Sequence, residues 1–221
     1  MRLALTYIIS SVSKQKNLVK VLEIVFLYIA TPLILFTPTP LWLKAIYFLL
    51  SITYTIWVGI TKENIRFKRV KTKVYKRIFS VIGLRTMLII VATSTFILLY
   101  NKEAFFQVII NKPFLWLGYS LIYILVSVIP QELIYREFFM KRYSDLFQNK
   151  TVLLIVNALL FSFAHIWFNS WIVLGFTFVG GIMFFLTYQK SKSLFVVILE
   201  HSIYGIWLYT VGYGELFRFA V

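Results

Sequence analysis

Apolar runs long enough to cross a lipid bilayer recur along this 221-residue chain and constrain its fold more than any other feature. A spanning helix needs about 20 predominantly apolar residues. The pattern therefore predicts an all-α, polytopic transmembrane helical bundle of about seven spans, forming a single membrane domain over residues 1–221. An amphipathic segment at 3–12 predicts an added interfacial helix. The runs lie at about 19–36, 41–60, 78–100, 113–140, 151–168, 171–188 and 194–213.

The composition excludes several other classes of protein. Hydrophobic residues make up 60% of the chain and charged residues 14%, against about 25% charged residues in soluble domains. A chain with so few polar residues cannot cover a soluble surface, and it is too apolar to be disordered. The absence of cysteine excludes disulfide scaffolds, iron–sulfur sites and cysteine nucleophiles.

The positions of the basic residues indicate how the chain crosses the membrane. If seven spans alternate from a cytoplasmic N-terminus, 18 of the 23 Lys and Arg residues fall on the cytoplasmic side, four fall outside and Arg85 lies within a span. This asymmetry follows the positive-inside rule and predicts an external C-terminus. We interpret the basic run at 62–77 as a loop that sets this topology, so no nucleic-acid partner is expected.

Ionisable side chains inside spans are costly and point to function. Both histidines of the chain lie deep in apolar sequence. At about 1.5 Å of rise per residue, Glu132 and His201 lie roughly 13 Å from the cytoplasmic ends of their helices, and His165 lies roughly 21 Å from its own. A tilted helix can absorb this difference, so we expect one shared cavity. The polar residues in question are Gln131, Glu132, Arg136, His165, Glu200 and His201.

Carboxylates beside histidines suit more than one chemistry. A carboxylate removed from water is a stronger base and can take a proton from a water molecule, which a histidine can orient. The same set could bind Zn²⁺ through two histidines and a glutamate, although the sequence has no HExxH pattern. Carboxylate and histidine relays also occur in proton-coupled transporters.

Three motifs together resemble one family of membrane proteases. They are QELIYR at 131–136, FSFAH at 161–165 and EHSIYG at 200–205. Their order and spacing resemble the CPBP family, the CAAX-protease and bacteriocin-processing (Abi) intramembrane endopeptidases. The resemblance covers residues 113–213, which we take as a protease-like core. It implies a glutamic protease that uses no metal, acts on a membrane-associated protein or peptide, and resides in the bilayer of a bacterial cell.

The sequence departs from the family pattern at two positions. Gln131 replaces the first glutamate of the family's EExxxR motif, and Gly205 replaces the asparagine of HxxxN. The remaining residues allow a variant site. Glu132 is then the expected base, with Gln131 and Arg136 in support, and His165 holds the water.

The oxyanion side of the predicted site uses the last motif. His201 is expected to stabilise the oxyanion, with Glu200 as a substitute carboxylate and Tyr204 as a substitute for the missing asparagine donor. The alternative is a catalytically inactive relative that acts as a membrane scaffold or immunity protein, and a transporter is a third reading. The sequence leaves the substrate and the oligomeric state open.

Overall fold

The structure is a computed structural model that describes residues 15, 17–65 and 72–215, with side chains from residue 76 onward in the last range. Every regular element in these residues is helical. Seven helices are long and apolar enough to cross a membrane, which confirms the predicted all-α polytopic bundle. The predicted interfacial helix at 3–12 lies outside the described residues.

The seven spanning helices follow one another with short connections. We label them α1 (Asn17–Phe36), α2 (Leu41–Thr61), α3 (Lys76–Tyr100), α4 (Pro113–Leu146), α5 (Lys150–Phe168), α6 (Trp171–Ser191) and α7 (Leu194–Tyr213). The helix that contains α3 begins at Thr72, and a short helix at Gln107–Asn111 precedes α4. Asparagine or serine residues cap three of the helices: the side chains of Asn149, Ser170 and Ser193 accept backbone hydrogen bonds at the starts of α5, α6 and α7.

Helix α4 continues through Pro130, as the sequence predicts. The proline lies in a short α-helical stretch, Ile129–Glu132, between π-helical stretches at Tyr123–Val128 and Leu133–Phe138. These wide turns accommodate a residue that has no backbone N–H to donate. Carbonyls in the second stretch accept side-chain hydrogen bonds, from Tyr28 to Ile134 at 2.8 Å and from Asn157 to Tyr135 at 2.7 Å. Neighbouring helices therefore hold α4 in its irregular form.

Ion pairs join three segments at one end of the bundle. Arg142, near the end of α4, donates to Glu23 of α1 and to Glu63 after α2, each at 2.9 Å. Lys20 pairs with Asp145 at the same end. The start of α1, the end of α2 and the end of α4 therefore share one side of the bundle, as the alternating topology requires.

Small residues allow α5 and α6 to pack closely, but only at one position. A Cβ atom added to Gly181 would lie 3.1 Å from the Cα of Ala158, whereas one added to Gly175 would meet nothing within 4 Å. Gly181 thus acts as a packing glycine. Further along the same two helices, Phe161 of α5 packs edge-to-face against Phe184 of α6, with ring centroids 5.9 Å apart.

Candidate active site

A carboxylate–histidine pair lies at the centre of the bundle. Glu132 of α4 and His201 of α7 meet through Oε1 and Nδ1 at 2.8 Å. Glu132 is fully buried and His201 is nearly so. Because a carboxylate accepts hydrogen bonds, the neutral imidazole must carry its proton on Nδ1, which leaves a lone pair on Nε2. The pairing therefore leaves Nε2 of His201 able to accept a proton or a hydrogen bond.

A buried arginine compensates the Glu132 charge from the other side. Arg136 lies one turn further along α4, with its Nε 3.4 Å from Glu132 Oε2. Its guanidinium donates to Asn157 of α5 at 3.2 Å and stacks over the Phe161 ring at 4.4 Å. Glu132 Oε2 nevertheless has no hydrogen bond within the described residues. The carboxylate is thus held by two charged or polar neighbours and is closed off from solvent.

A cavity of about 1270 Å³ lies beside this pair, and all seven spanning helices line it. This volume exceeds the roughly 300–1,000 Å³ of most small-molecule pockets. His201, His165 and Gln131 line the cavity, but Glu132 and Arg136 do not. Glu132 contacts His201, which does line the cavity, so the expectation that Glu132 is the base stays a prediction.

Gln131 faces the cavity because it is the helical neighbour of Glu132 and points about 100° away from it. Its amide nitrogen donates to Ser127 at 2.7 Å. Its Oε1 is buried and has no hydrogen-bond partner in the part of the chain that the structure describes. An unsatisfied buried acceptor favours binding of a donor such as water or a peptide N–H.

His165 lies where α5 ceases to be α-helical. Its Nδ1 is 2.8 Å from the Phe161 carbonyl, which can only accept, so Nδ1 carries the proton and Nε2 has the lone pair. The His165 and His201 rings both pack edge-on against Phe161, at centroid distances of 5.0 and 5.7 Å. The structure thus brings the two histidines to the same wall of the cavity despite their different predicted depths.

Glu200 and Tyr204 form a separate network and do not join the Glu132 pair. Glu200 Oε1 accepts from Arg85 of α3 and from the Tyr204 hydroxyl, each at 2.9 Å. Arg85 also donates to Thr187 of α6 at 3.1 Å. Because the Tyr204 hydroxyl donates its hydrogen bond to Glu200, the expectation that Tyr204 replaces the missing asparagine donor is not supported. Glu200 likewise forms its ion pair with Arg85 and not with His201.

Three residues that contact these polar groups were not predicted from the sequence: Arg85, Asn157 and Tyr123, whose ring packs edge-to-face against that of His201. Arg85 carried a signal, since it is a lone charge inside a span. Asn157 and Tyr123 carried none, because a single amide or phenol in an apolar helix is common. No three His, Asp or Glu side chains converge as metal ligands in residues 15, 17–65 and 72–215.

Comparison with known families gives one match. Residues 113–207 match the family model described as type II CAAX prenyl endopeptidase Rce1-like. This segment, which is less than half of the chain, is similar to the Rce1-like family. The match confirms the resemblance carried by the three motifs. No curated protein and no solved structure matches the chain.

The Rce1-like segment contains α4 to α6 and most of α7, so Glu132, His165 and His201 all lie within it. Arg85 lies outside it, on α3, and contacts the segment through its pairing with Glu200 and its hydrogen bonds to α6. The chain is a multi-pass membrane protein, and its matched segment resembles a family named for endopeptidases.

Proposed function

We propose that this protein is an intramembrane endopeptidase that hydrolyses a peptide bond in a membrane-associated protein or peptide. The observation that carries the proposal is the 2.8 Å contact between Glu132 and His201 beside a large, mostly apolar cavity. Here His201 is the base that contacts water, and Glu132 is a positioning residue that acts through it. The reaction still requires Glu132, as the family resemblance implies, but Glu132 orients His201 and is not itself the base.

The reaction needs only groups present in the chain. His201 Nε2 takes one proton from water, and the water oxygen forms a bond to the carbonyl carbon of the peptide. The carbonyl π electrons move to oxygen, and Glu132 stabilises the imidazolium that forms. Collapse of the intermediate breaks the C–N bond as His201 returns the proton to the leaving nitrogen. The products are a carboxylic acid and an amine, and no metal takes part.

Two further groups hold the water for this attack. The lone pair of His165 Nε2 can accept a hydrogen bond from the other O–H of the water, and the unsatisfied Oε1 of Gln131 lies on the same cavity. Gln131 therefore acts as an acceptor that orients water, which an amide can do although it cannot act as a base. The substitution of glutamine at this position is compatible with hydrolysis when the base is His201.

The experiment that tests the proposal is cleavage by the protein reconstituted in liposomes. A library of lipid-anchored peptides is incubated in H₂¹⁸O, and the products are identified by mass spectrometry. We expect one ¹⁸O atom in each new carboxyl terminus, activity that resists chelators, and a loss of about 10²–10⁴-fold for His201→Gln. Unchanged activity in that variant would contradict the proposal, and so would an absence of cleavage with every peptide.

One observation favours a second candidate, a catalytically inactive scaffold or immunity protein. Gln131, which lines the cavity, stands where the family pattern has its first glutamate, and Glu132 is fully buried. This candidate predicts that a partner co-purifies equally with the wild type and with Glu132→Gln, and that no peptide is cut. Detection of ¹⁸O-labelled product excludes it.

A further inference from the structure

The proposed mechanism leaves one requirement unmet. Hydrolysis places negative charge on the former carbonyl oxygen, and an apolar cavity must supply a donor for it. His201 cannot be that donor at the start of the reaction, because its pairing with Glu132 leaves no proton on Nε2. His165 has the same tautomer and the same limitation. A hydroxyl or amide donor elsewhere on the cavity wall is needed.

The hydroxyl group of Tyr123, which packs against Gly205, is such a donor. Gly205 lies one turn beyond His201 on α7, so residue 205 faces the same side of the helix as His201. A Cβ atom at this position would overlap the hydroxyl group and the ring of Tyr123. No residue with a side chain fits beside Tyr123 here. The space that a side chain at 205 would fill is therefore occupied by the phenol of α4.

Tyr123 is also placed correctly with respect to the proposed base. Its ring meets the His201 ring edge-to-face, with centroids 6.0 Å apart and planes at 84°. Tyr123, His201 and Gly205 all line the same cavity. The tyrosine begins the π-helical stretch Tyr123–Val128, a widened turn of the kind that recurs at functional sites. Its phenol therefore lies on the cavity wall beside the ring of the proposed base.

We propose that Tyr123 is a catalytic residue whose hydroxyl donates a hydrogen bond to the oxyanion, and that Gly205 is present to admit it. This assignment rests on the proposed peptidase function. The carbonyl oxygen accepts the Tyr123 O–H throughout, and the bond strengthens as charge develops on the oxygen. The proton stays on the phenol, and the hydrogen bond weakens again when the intermediate collapses and the oxygen loses its negative charge.

The first test removes one oxygen atom. Tyr123→Phe should lower kcat by about 10²–10³-fold, as the loss of a single oxyanion donor does, with KM within about twofold of the wild type. Tyr188→Phe is the matched control, because it also removes one buried hydroxyl, but Tyr188 donates to Glu137 and lies outside the cavity lining. It should cleave at the wild-type rate. A wild-type kcat for Tyr123→Phe would overturn the assignment.

The second test moves the donor from α4 to α7. Tyr123→Ala removes the donor and frees the space, and Gly205→Asn in that background places an amide one turn from His201. We expect the double variant to cleave at least about tenfold faster than Tyr123→Ala alone, because an amide N–H can serve as the donor. Gly205→Asn alone should be inactive through the clash with Tyr123. Equal activities of Tyr123→Ala and the double variant would count against the assignment.

The outcomes separate this assignment from the function on which it rests. Cleavage by the wild type and loss in His201→Gln, with full activity in Tyr123→Phe, would leave the peptidase in place and reject only the oxyanion donor. Full activity in His201→Gln would reject the mechanism of both. Thermal unfolding in detergent, measured for each variant, distinguishes lost chemistry from lost folding, and Tyr123→Phe should melt within a few degrees of the wild type.

Discussion

At the scale of single residues, the site depends on how a buried carboxylate is compensated. Glu132 has His201 on one oxygen and Arg136 beside the other, and none of its carboxylate faces solvent. An isolated charge in such a place is costly, so we expect both neighbours to be needed for folding as well as for the proposed reaction. Stability and catalysis can be separated by variants that remove the charges together.

Removal of Arg136 alone should destabilise the protein strongly. Arg136→Met leaves Glu132 without its positive partner, and breaking a buried pair in this way costs about 3–5 kcal/mol. The double variant Glu132→Gln/Arg136→Met removes both charges and should recover most of the stability while remaining inactive. Unfolding in detergent, followed by circular dichroism, measures both. Equal stability of Arg136→Met and the wild type would show that Glu132 does not carry a buried charge.

Side-chain identities in the site were readable from sequence, but their partners were not. The motifs identified Glu132, His165 and His201 because charged and polar groups stand out in apolar helices. Their partners depend on the rotation of each helix about its axis, which hydropathy does not encode. Glu132 and Gln131 differ by one helical step, and that step decides which of them meets His201 and which faces the cavity.

At the scale of helices, the contact between α3 and α7 links the Rce1-like segment to the preceding spans. Arg85 and Glu200 form it, and Glu200 is fully buried. Arg85→Leu should lower the melting temperature and the cleavage rate, because Glu200 is left unpaired beside His201. Arg85→Leu/Glu200→Leu should melt higher than Arg85→Leu. If the two variants melt together, the ion pair does not hold the helices in register.

The packing of α5 on α6 gives a prediction with an internal control. Gly181→Leu should destabilise the protein by about 1–3 kcal/mol, since a larger side chain must displace the Ala158 backbone. Gly175→Leu on the same helix should be tolerated, because nothing lies within 4 Å of its added Cβ. Detergent unfolding of both variants compares the two sites. A Gly175 variant as unstable as the Gly181 variant would contradict the described packing.

Sequence analysis predicted the seven spans because bilayer thickness sets the length of an apolar run. On α6, Gly181 packs against α5 and Gly175 does not, a difference that sequence does not reveal because small residues look the same whether they face a helix or lipid. The π-helical stretches around Pro130 were also beyond prediction. The stretch Leu133–Phe138 accepts hydrogen bonds from Tyr28 and Asn157 on other helices, and hydropathy does not encode such contacts.

At the scale of the whole molecule, the charge distribution predicts a cytoplasmic N-terminus and an external C-terminus. The chain has no cysteine, so single cysteines can report the orientation directly. In sealed cells, Lys102→Cys should react with an impermeant maleimide, and Lys190→Cys should react only after the membrane is permeabilised. Both positions are exposed at helix ends. The opposite labelling pattern would invert the topology.

The seven helices also decide where a substrate can reach the histidines. Every span contributes to the cavity wall, so access to His201 depends on the intact bundle and not on the Rce1-like segment alone. Arg85 on α3 and Tyr123 on α4 illustrate this, because one holds the helix of His201 and the other faces its ring. The proposed reaction therefore requires all seven spanning helices.

The most direct test of the central claim compares two buried glutamates on the same helix. Glu132 pairs with His201, whereas Glu137 pairs with Lys141 and accepts from Tyr188, outside the cavity lining. The measurement is kcat of Glu132→Gln and Glu137→Gln on one lipid-anchored peptide. We expect Glu132→Gln to lose about 10²–10⁴-fold in kcat with KM unchanged, and Glu137→Gln to stay within a few-fold of the wild type. Equal kcat values for the two variants would contradict a peptidase driven by the Glu132–His201 pair.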